Sequence, residues 1–466
     1  MPDIMTAVAV AIFVATYVIV ALGKVPVYRI DRAGAALLGG SLMVAAGVLT
    51  LHQAYRAVDL DTITLLLGMM IVVANLRVSG FFRIVNGWIA AHVRHPLGLL
   101  VAITLASGLL SAFLVNDAIC LVMTPLVLEV VERWRRDPVP YLLAVAMASN
   151  VGSVATITGN PQNIIIGSLS GIPYATFAAA LAPVAAFGLV VTVALIAVAY
   201  RREFFTRKAL PSVEIEGHYH KALVIKTVLV ALAMVVLFFL GQPVAKVAIV
   251  GGAFLLLTRR VSPAKIYREI DWSLLVMFVG LFIVVAGLEK TVIDPHLPAL
   301  MAGLHFNDTT VLGAVTAVLS NIVSNVPAVL VLKPFVSELH DPQRAWLVVA
   351  MTATLAGNFT LVGSVANLIV AQRAKARGVE VRFWPYFVIG APLIDDEGIV
   401  YADIDLSRCI QPRQMHDITG HYNRFDVFDL RVNRRPLQAA RFDDTELGTG
   451  AVISAPPPES TSETQQ

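Results

Sequence analysis

Charge is scarce in this sequence. Of its 466 residues only 14% are Asp, Glu, Lys or Arg, against about 25% in ordinary soluble domains. A soluble chain of this length would carry charge on every exposed helix face. That excludes a cytosolic enzyme, a nucleic-acid binder and a disordered scaffold. Cysteine is almost missing: Cys120 and Cys409 cannot build a disulfide framework or a zinc site. A basic leader is missing too. The apolar segment from Ile4 to Leu22 follows Pro2-Asp3 and no Lys or Arg, so it reads as a first membrane helix and not as a cleavable signal.

Apolar sequence is what the chain has instead. Hydrophobic residues make up 57% of it and the mean hydropathy is +0.75. Runs long enough to cross a bilayer, about 17–25 residues, recur. Spans are expected at 4–22, 34–51, 61–79, 139–157, 172–200, 222–240, 244–258, 272–288 and 343–362. The stretches 97–134 and 309–337 are apolar but interrupted in the middle by polar residues. Each is expected to be a re-entrant hairpin that enters and leaves on one side.

Loop charge supports that reading. Short cytoplasmic loops collect Lys and Arg. Segments 23–33, 80–96, 132–138, 201–221, 259–271 and 371–382 are basic, whereas 52–61, 158–171, 241–246, 289–308 and 338–342 are not. With both interrupted stretches folded as hairpins, every basic loop falls on one side and the N-terminus is extracytoplasmic. Segment 80–95 alternates apolar and basic residues at helical spacing. It is expected to lie in the cytoplasmic interface with Trp88 at headgroup level.

The chain also repeats itself. "VDLDTITLLLGMMIVVANLRVSGFF" from Val58 resembles "IDWSLLVMFVGLFIVVAGLEKTVI" from Ile270, with Asp59 matching Asp271 and Gly68 matching Gly280. "SAFLVNDAICLVMTPLV" from Ser111 resembles "SNIVSNVPAVLVLKPFV" from Ser320, with Asn116 matching Asn325 and Pro125 matching Pro334. "SNVGSVATITGNPQN" resembles "GNFTLVGSVAN". Here Asn150 pairs with Asn358, and Gly159 and Asn163 pair with Gly363 and Asn367 after a four-residue shift. Five spans separate the starts of the two copies, so the second is inverted. Inverted repeats with broken helices near the midplane mark secondary transporters. The expected fold class is an all-α polytopic membrane protein of two inverted repeats, each with a re-entrant hairpin and a broken helix, followed by a short soluble tail. The domain bounds are 1–200 for the first repeat, 201–221 for a cytoplasmic linker and 222–393 for the second repeat.

Irregular backbone survives in hydrocarbon only where it lines a protein-enclosed cavity. Four polar centres are therefore candidates for one midplane site. The hairpin tips supply Asn116 and Asp117, and Ser324 and Asn325. The two breaks supply Thr158, Asn160 and Asn163, and Asn358, Thr360, Ser364 and Asn367. Exposed helix ends there offer N–H groups to an anion and C=O groups to a cation. Asp117 is the one acid deep in a membrane segment, a functional position by default; it could carry a proton or bind Na⁺. Lys333 either snorkels or replaces a bound cation. No Arg is expected at the site. No resident cofactor or metal is implied.

These motifs resemble the citrate-transporter-like domain, the superfamily of arsenite permeases, sodium–proton antiporters and dicarboxylate carriers. The resemblance covers about residues 1–393. It implies a fixed scaffold, a moving transport domain with two opposed hairpins, elevator-like alternating access and often a homodimer in the cytoplasmic (inner) membrane. The "NDA" and "GNFTLVGSVAN" forms look closer to the arsenite- and anion-permease branch. The implied function is secondary transport of a small anion or arsenite, coupled to protons or sodium. A sodium–proton antiporter is the alternative in the same class, and an ion channel the alternative in another.

The repeat predicts a last helix near Trp384, with Phe387 and Pro392 matching Phe177 and Pro183, yet the apolar run stops at Ile394. Residues 395–466 carry 7 basic and 13 acidic side chains, which leaves 28 and 19 for residues 1–394. Segment 395–436 resembles the C-terminal end of nitrilases, so the chain reads as a chimera with a soluble, cytoplasmic segment at 394–446. That end lacks a nitrilase's catalytic region, no catalytic residue is carried over, and a nitrile-hydrolysing enzyme is not expected. Residues 447–466 read as disordered.

Overall fold

The computed structural model describes residues 4–22, 24–25, 30–206, 210, 219–258, 261–295, 305–361 and 363–381. Almost all of the regular structure there is helix. The exception is a two-residue antiparallel ladder, Lys24–Val25 against Ile30–Asp31. The chain divides into Met1–Ile394 and Asp395–Gln466. The second unit, the expected nitrilase-like and disordered segments, and the region near Trp384 where the repeat predicts a last helix lie outside the described residues.

Helices α1 (Ile4–Leu22), α2 (Arg32–Ala45), α4 (Leu60–Ser79), α12 (Lys221–Phe239), α13 (Val244–Leu256) and α15 (Trp272–Leu288) form one group. Short Asp caps start three of them. Asp31 accepts from Gly34 N, Asp59 from Asp61 N and Thr62 N, and Asp271 from Leu274 N. The sequence match between Asp59 and Asp271 is therefore a shared N-cap. Expected span 34–51 ends early. Helix α2 stops at Ala45, Gly47 takes φ 76°, and Thr50 opens a separate helix α3 (Leu51–Ala57) through a capping box with Gln53.

Glycine sets the packing of this group, and the second copy repeats the first. A methyl group on Gly68 (α4) would lie 2.5 Å from the Ala248 carbonyl carbon on α13, and one on Gly280 (α15) 2.3 Å from that of Ala36 on α2. Both members of the second contact are the first pair's mates at the 212-residue offset. Gly252 against Gly68 and Gly40 against Gly280 follow the same rule. Helices in lipid associate through such small-residue backbone approaches.

Helix α5 (Phe81–His92) buries Phe82, Asn86, Ile89 and Ala90 on one face and leaves Trp88 exposed. That stripe is the spacing of an amphipathic surface helix.

The remaining helices carry the polar centres. Helices α6 (Pro96–Phe113) and α7 (Asn116–Arg133) form the first hairpin. Helices α8 (Val139–Ser153) and α9 (Pro161–Ser170) are the halves of a broken helix, with a 3₁₀ turn at Ile157–Gly159 between them. Thus segment 158–171, read as a loop, is largely helical. After α10 (Tyr174–Ala199), the short α11 (Arg201–Phe204) and α14 (Pro263–Tyr267), the pattern returns. Helices α16 (Thr309–Val323) and α17 (Asn325–Ser337) form the second hairpin, and α18 (Pro342–Ala356) and α19 (Val365–Lys375) the second broken helix. Helices α1, α4, α6, α10, α12 and α15 are long and apolar enough to cross a membrane.

Candidate functional site

The two hairpin tips turn tightly. Leu114 and Val115 join α6 to α7, and Ser324 alone joins α16 to α17. Ser324 sits at φ 76°, ψ 162°, a region that glycine occupies cheaply and other residues at a cost of order 1–3 kcal/mol. Immediately after each tip, Asn116 and Asn325 open the returning arm.

Asn116 Nδ2 donates to Asn150 Oδ1 at 3.0 Å. Asn150, wholly buried on α8, uses every slot of its amide. Its Nδ2 donates to Asn358 Oδ1 (2.8 Å) and Asn367 Oδ1 (3.0 Å), and its Oδ1 also accepts from Ser364 Oγ (3.0 Å). One side chain thus ties the first hairpin to the second break. The opposite tie is built from different residues. Oriented by its partners, the Asn325 amide donates to Gly363 O (3.2 Å) and Ala353 O (3.0 Å) and accepts from Gln162 Nε2 (3.1 Å). Gln162 Nε2 and Asn160 Nδ2 both donate to Thr354 Oγ1 at 3.1 Å.

The breaks are stabilised by one device used twice. Asn163 Nδ2 donates to Ser153 O (3.1 Å) and Thr156 O (3.0 Å), and Asn367 Nδ2 to Gly357 O (2.7 Å) and Thr360 O (3.1 Å). Ser153 O and Gly357 O lie where the helices break off and lose their intrahelical donors, whereas Thr156 O and Thr360 O also accept from Gly159 N and Gly363 N. Asn160 and Ser364 cap the resuming helices by accepting from Asn163 N and Ala366 N. The reaching amides (Asn163 and Asn367), the carbonyls they reach and the capping residues (Asn160 and Ser364) all differ by 204. The structure therefore corrects the sequence alignment of this region. Ser149 pairs with Ala353 and Asn150 with Thr354, no four-residue shift is needed, and Asn358 has Val154 as its mate.

Two cavities meet at the first tip. One, about 40 Å³, is walled by Arg32, Asn116, Asp117, Gln162, Asn325 and Ser364, among others, with Ser324 also on its wall. The other, about 110 Å³, is walled by Arg77, Asp117, Glu269 and Asp271 among apolar residues. Asp117 faces both. Among the described residues none donates a hydrogen bond to its carboxylate or forms an ion pair with it.

Of the residues the sequence singled out, the structure brings Asn116, Asp117, Ser324, Asn325 and Ser364 to the first cavity. Asn160, Asn163, Asn358 and Asn367 stand behind it in the hydrogen-bond network. Thr158 bonds to Tyr174 on α10 (2.9 Å) and Thr360 to Asn321 (3.1 Å). Arg32 corrects the expectation that no Arg lies at the site. In sequence it reads as a basic loop residue of segment 23–33, but it opens α2 and lines the cavity. Lys333 forms an ion pair with Glu289 (3.2 Å). Asn150, Gln162 and Thr354 were not among the candidates. Their polar side chains within apolar helices were the available signal.

A profile of the citrate transporter family matches residues 17–354. An uncharacterized transporter of Mycobacterium tuberculosis is 30% identical over 412 residues, covering 83% of this chain and 95% of its own. The silicon efflux transporter LSI3 of Oryza sativa subsp. japonica is 28% identical, covering 84% and 94%. The crystal structure of the Alcanivorax borkumensis YdaH transporter superposes with a TM-score of 0.50 at 13% identity, covering 83% and 94%, a likeness of fold alone. These similarities lend the nitrilase-like reading of the tail no support. Helices of spanning length, paired polar hairpins and a family match over most of the chain agree: this multi-pass membrane transporter belongs to the citrate transporter family.

Proposed function

We propose that the protein is a proton-coupled secondary transporter of a small inorganic solute, an oxyanion or a hydroxylated species such as arsenite, held between the hairpin tips. The observation that carries this reading is the Asp117 carboxylate. Among the described residues no donor or ion-pair partner reaches it; it lies at a hairpin tip inside a membrane segment, where a charge is costly, and opens onto a cavity lined by Arg32 and by amides from both repeats. Protonation removes that cost, and so links a proton to the state of the site.

The cavity's size favours a small solute. One water needs about 10–15 Å³ on the same measure, so about 40 Å³ holds roughly three, fewer than a tricarboxylate displaces. Arg32 supplies a cation to an anionic solute, and the tip amides supply donors to hydroxyls. The rice relative, a silicon efflux transporter, points to the same chemistry. A citrate-sized substrate would need a wider site.

Access alternates by an elevator-like movement of the hairpins and broken helices against α1, α2, α4, α12, α13 and α15. The glycine-packed backbone contacts of that second group suit a fixed scaffold. The protein works as a homodimer in the cytoplasmic membrane, N-terminus outside, as the charge pattern and the family resemblance imply.

Purified protein in liposomes tests this. Arsenite, silicic acid, sulfate, citrate and Na⁺ are offered under imposed proton or sodium gradients. Saturable flux of a small oxyacid with counterflow, driven by a proton gradient, is expected. Flux without saturation would make it a channel. Na⁺ movement against protons without an oxyacid would make it an antiporter of cations.

A further inference from the structure

We propose that the second cavity is a water-filled proton passage to Asp117, separate from the solute cavity; this rests on the reading of Asp117 as the proton-carrying group. The first reason is geometry. The cavity of about 110 Å³ is walled by Met70, Val73, Ala74 and Arg77 of α4, by Val115, Ala118, Leu121 and Val122 at and after the first tip, and by Glu269 and Asp271 ahead of α15. Only Asp117, Leu274 and Val365 are shared with the solute cavity. The carboxylate sits in the partition, with solute on one side and this space on the other.

The second reason is chemistry. A cavity holds water when it is roomy enough and offers polar partners. Here there is volume for several waters, and Asp117, Asp271, Glu269 and Arg77 provide the partners. Arg77 and Glu269 neutralise each other through an ion pair at 2.5 Å and are both partly exposed. Asp271 is held as the α15 cap through Leu274 N at 3.0 Å. The groups facing Asp117 are then Arg32 from α2 on the solute side, and Asp271 with the Arg77–Glu269 pair on the other. Carboxylates outnumber the arginine on that wall, which draws protons toward it. A proton hops along the water chain from bulk to an Asp117 oxygen, and the reverse hop returns it. The Arg77–Glu269 pair positions that chain and does not itself take the proton.

A separate passage lets a bound solute and an arriving proton coexist. With one shared cavity, a solute filling about 40 Å³ would cork the carboxylate.

The test needs no transported solute. With Cys120→Ala and Cys409→Ser as background, cysteines are placed at Ala74, which lines only the passage, and at Met277, which lines only the solute cavity. A small charged methanethiosulfonate reagent reports hydration. Infrared difference spectra, with Asp117→Asn and Asp117→Glu to identify the Asp117 carboxyl band, report its H/D exchange. Expected: Ala74→Cys reacts, and its modification slows that exchange at least tenfold, while modification of Met277→Cys changes it less than twofold. An unreactive Ala74→Cys, an unchanged exchange rate after its modification, or equal slowing from the Met277 side would each overturn the passage. If no carboxyl band disappears in Asp117→Asn between pH 4 and 9, the reading of Asp117 itself fails instead.

Discussion

Replacing Asn150 by Ala removes the buried side chain that ties the first hairpin to the second break. It deletes four hydrogen bonds, to Asn116, Asn358, Ser364 and Asn367. Ser364 keeps its bond from Ala366 N, and Asn358 is part-buried, so water can repair some of the loss there. Asn116 Nδ2 and Asn367 Oδ1 are left buried and unpaired, at about 1–3 kcal/mol each. Interhelical hydrogen bonds in membranes average nearer 0.6 kcal/mol, which sets the lower bound. The expected destabilisation is on the order of 2–5 kcal/mol. Its counterpart, Thr354→Val, removes two bonds whose donors each retain another partner, Ser153 for Asn160 and Asn325 for Gln162. That change should cost roughly 1–2 kcal/mol. Unfolding in mixed micelles with increasing sodium dodecyl sulfate measures both. A loss below about 0.5 kcal/mol for Asn150→Ala, or a larger loss for Thr354→Val, would refute the assignment of Asn150 as the node.

Further expectations follow from single contacts. Gly68→Ala and Gly280→Ala each drive a methyl group into a backbone carbonyl carbon, 2.5 and 2.3 Å away, so each should cost about 1–3 kcal/mol and the two values should agree within a factor of two in the same unfolding assay. Ser324→Gly relaxes a positive φ and should raise stability by roughly 1 kcal/mol, whereas Ser324→Val should lower it; thermal melts of the purified protein distinguish them. Lys333→Met leaves Glu289 without the ion pair seen at 3.2 Å and should destabilise by roughly 1–3 kcal/mol, with Glu289→Gln restoring most of the loss when combined with it.

Much of this architecture was legible from the residues. Hairpins could be read because polar pairs such as Asn116-Asp117 and Ser324-Asn325 cannot sit in hydrocarbon on a straight helix without a purpose. The breaks could be read because Gly159-Asn160-Pro161 cannot continue a helix: it follows the end of α8 at Ser153, closes the 3₁₀ turn and caps α9. The swapped ties between halves could not. Asn150 and Asn358 look alike in sequence, and only the repeated reach of Asn163 and Asn367, to carbonyls ten and seven residues back, fixes the register that pairs Asn150 with Thr354. Arg32 escaped notice for a related reason. A basic residue beside a span satisfies the loop-charge rule, and nothing local says that folding brings it beside Asp117. Span lengths failed where the chain ends helices by conformation and not by polarity, as Gly47 does after α2.

The account stands on Asp117 as the group that couples solute movement to a proton. Wild-type protein and Asp117→Asn, reconstituted at equal density and given an inward proton gradient with arsenite as probe, measure this most directly. The wild type should accumulate the probe against its own gradient, and the variant should only equilibrate it while retaining counterflow. Accumulation by the variant at the wild-type level would contradict the account.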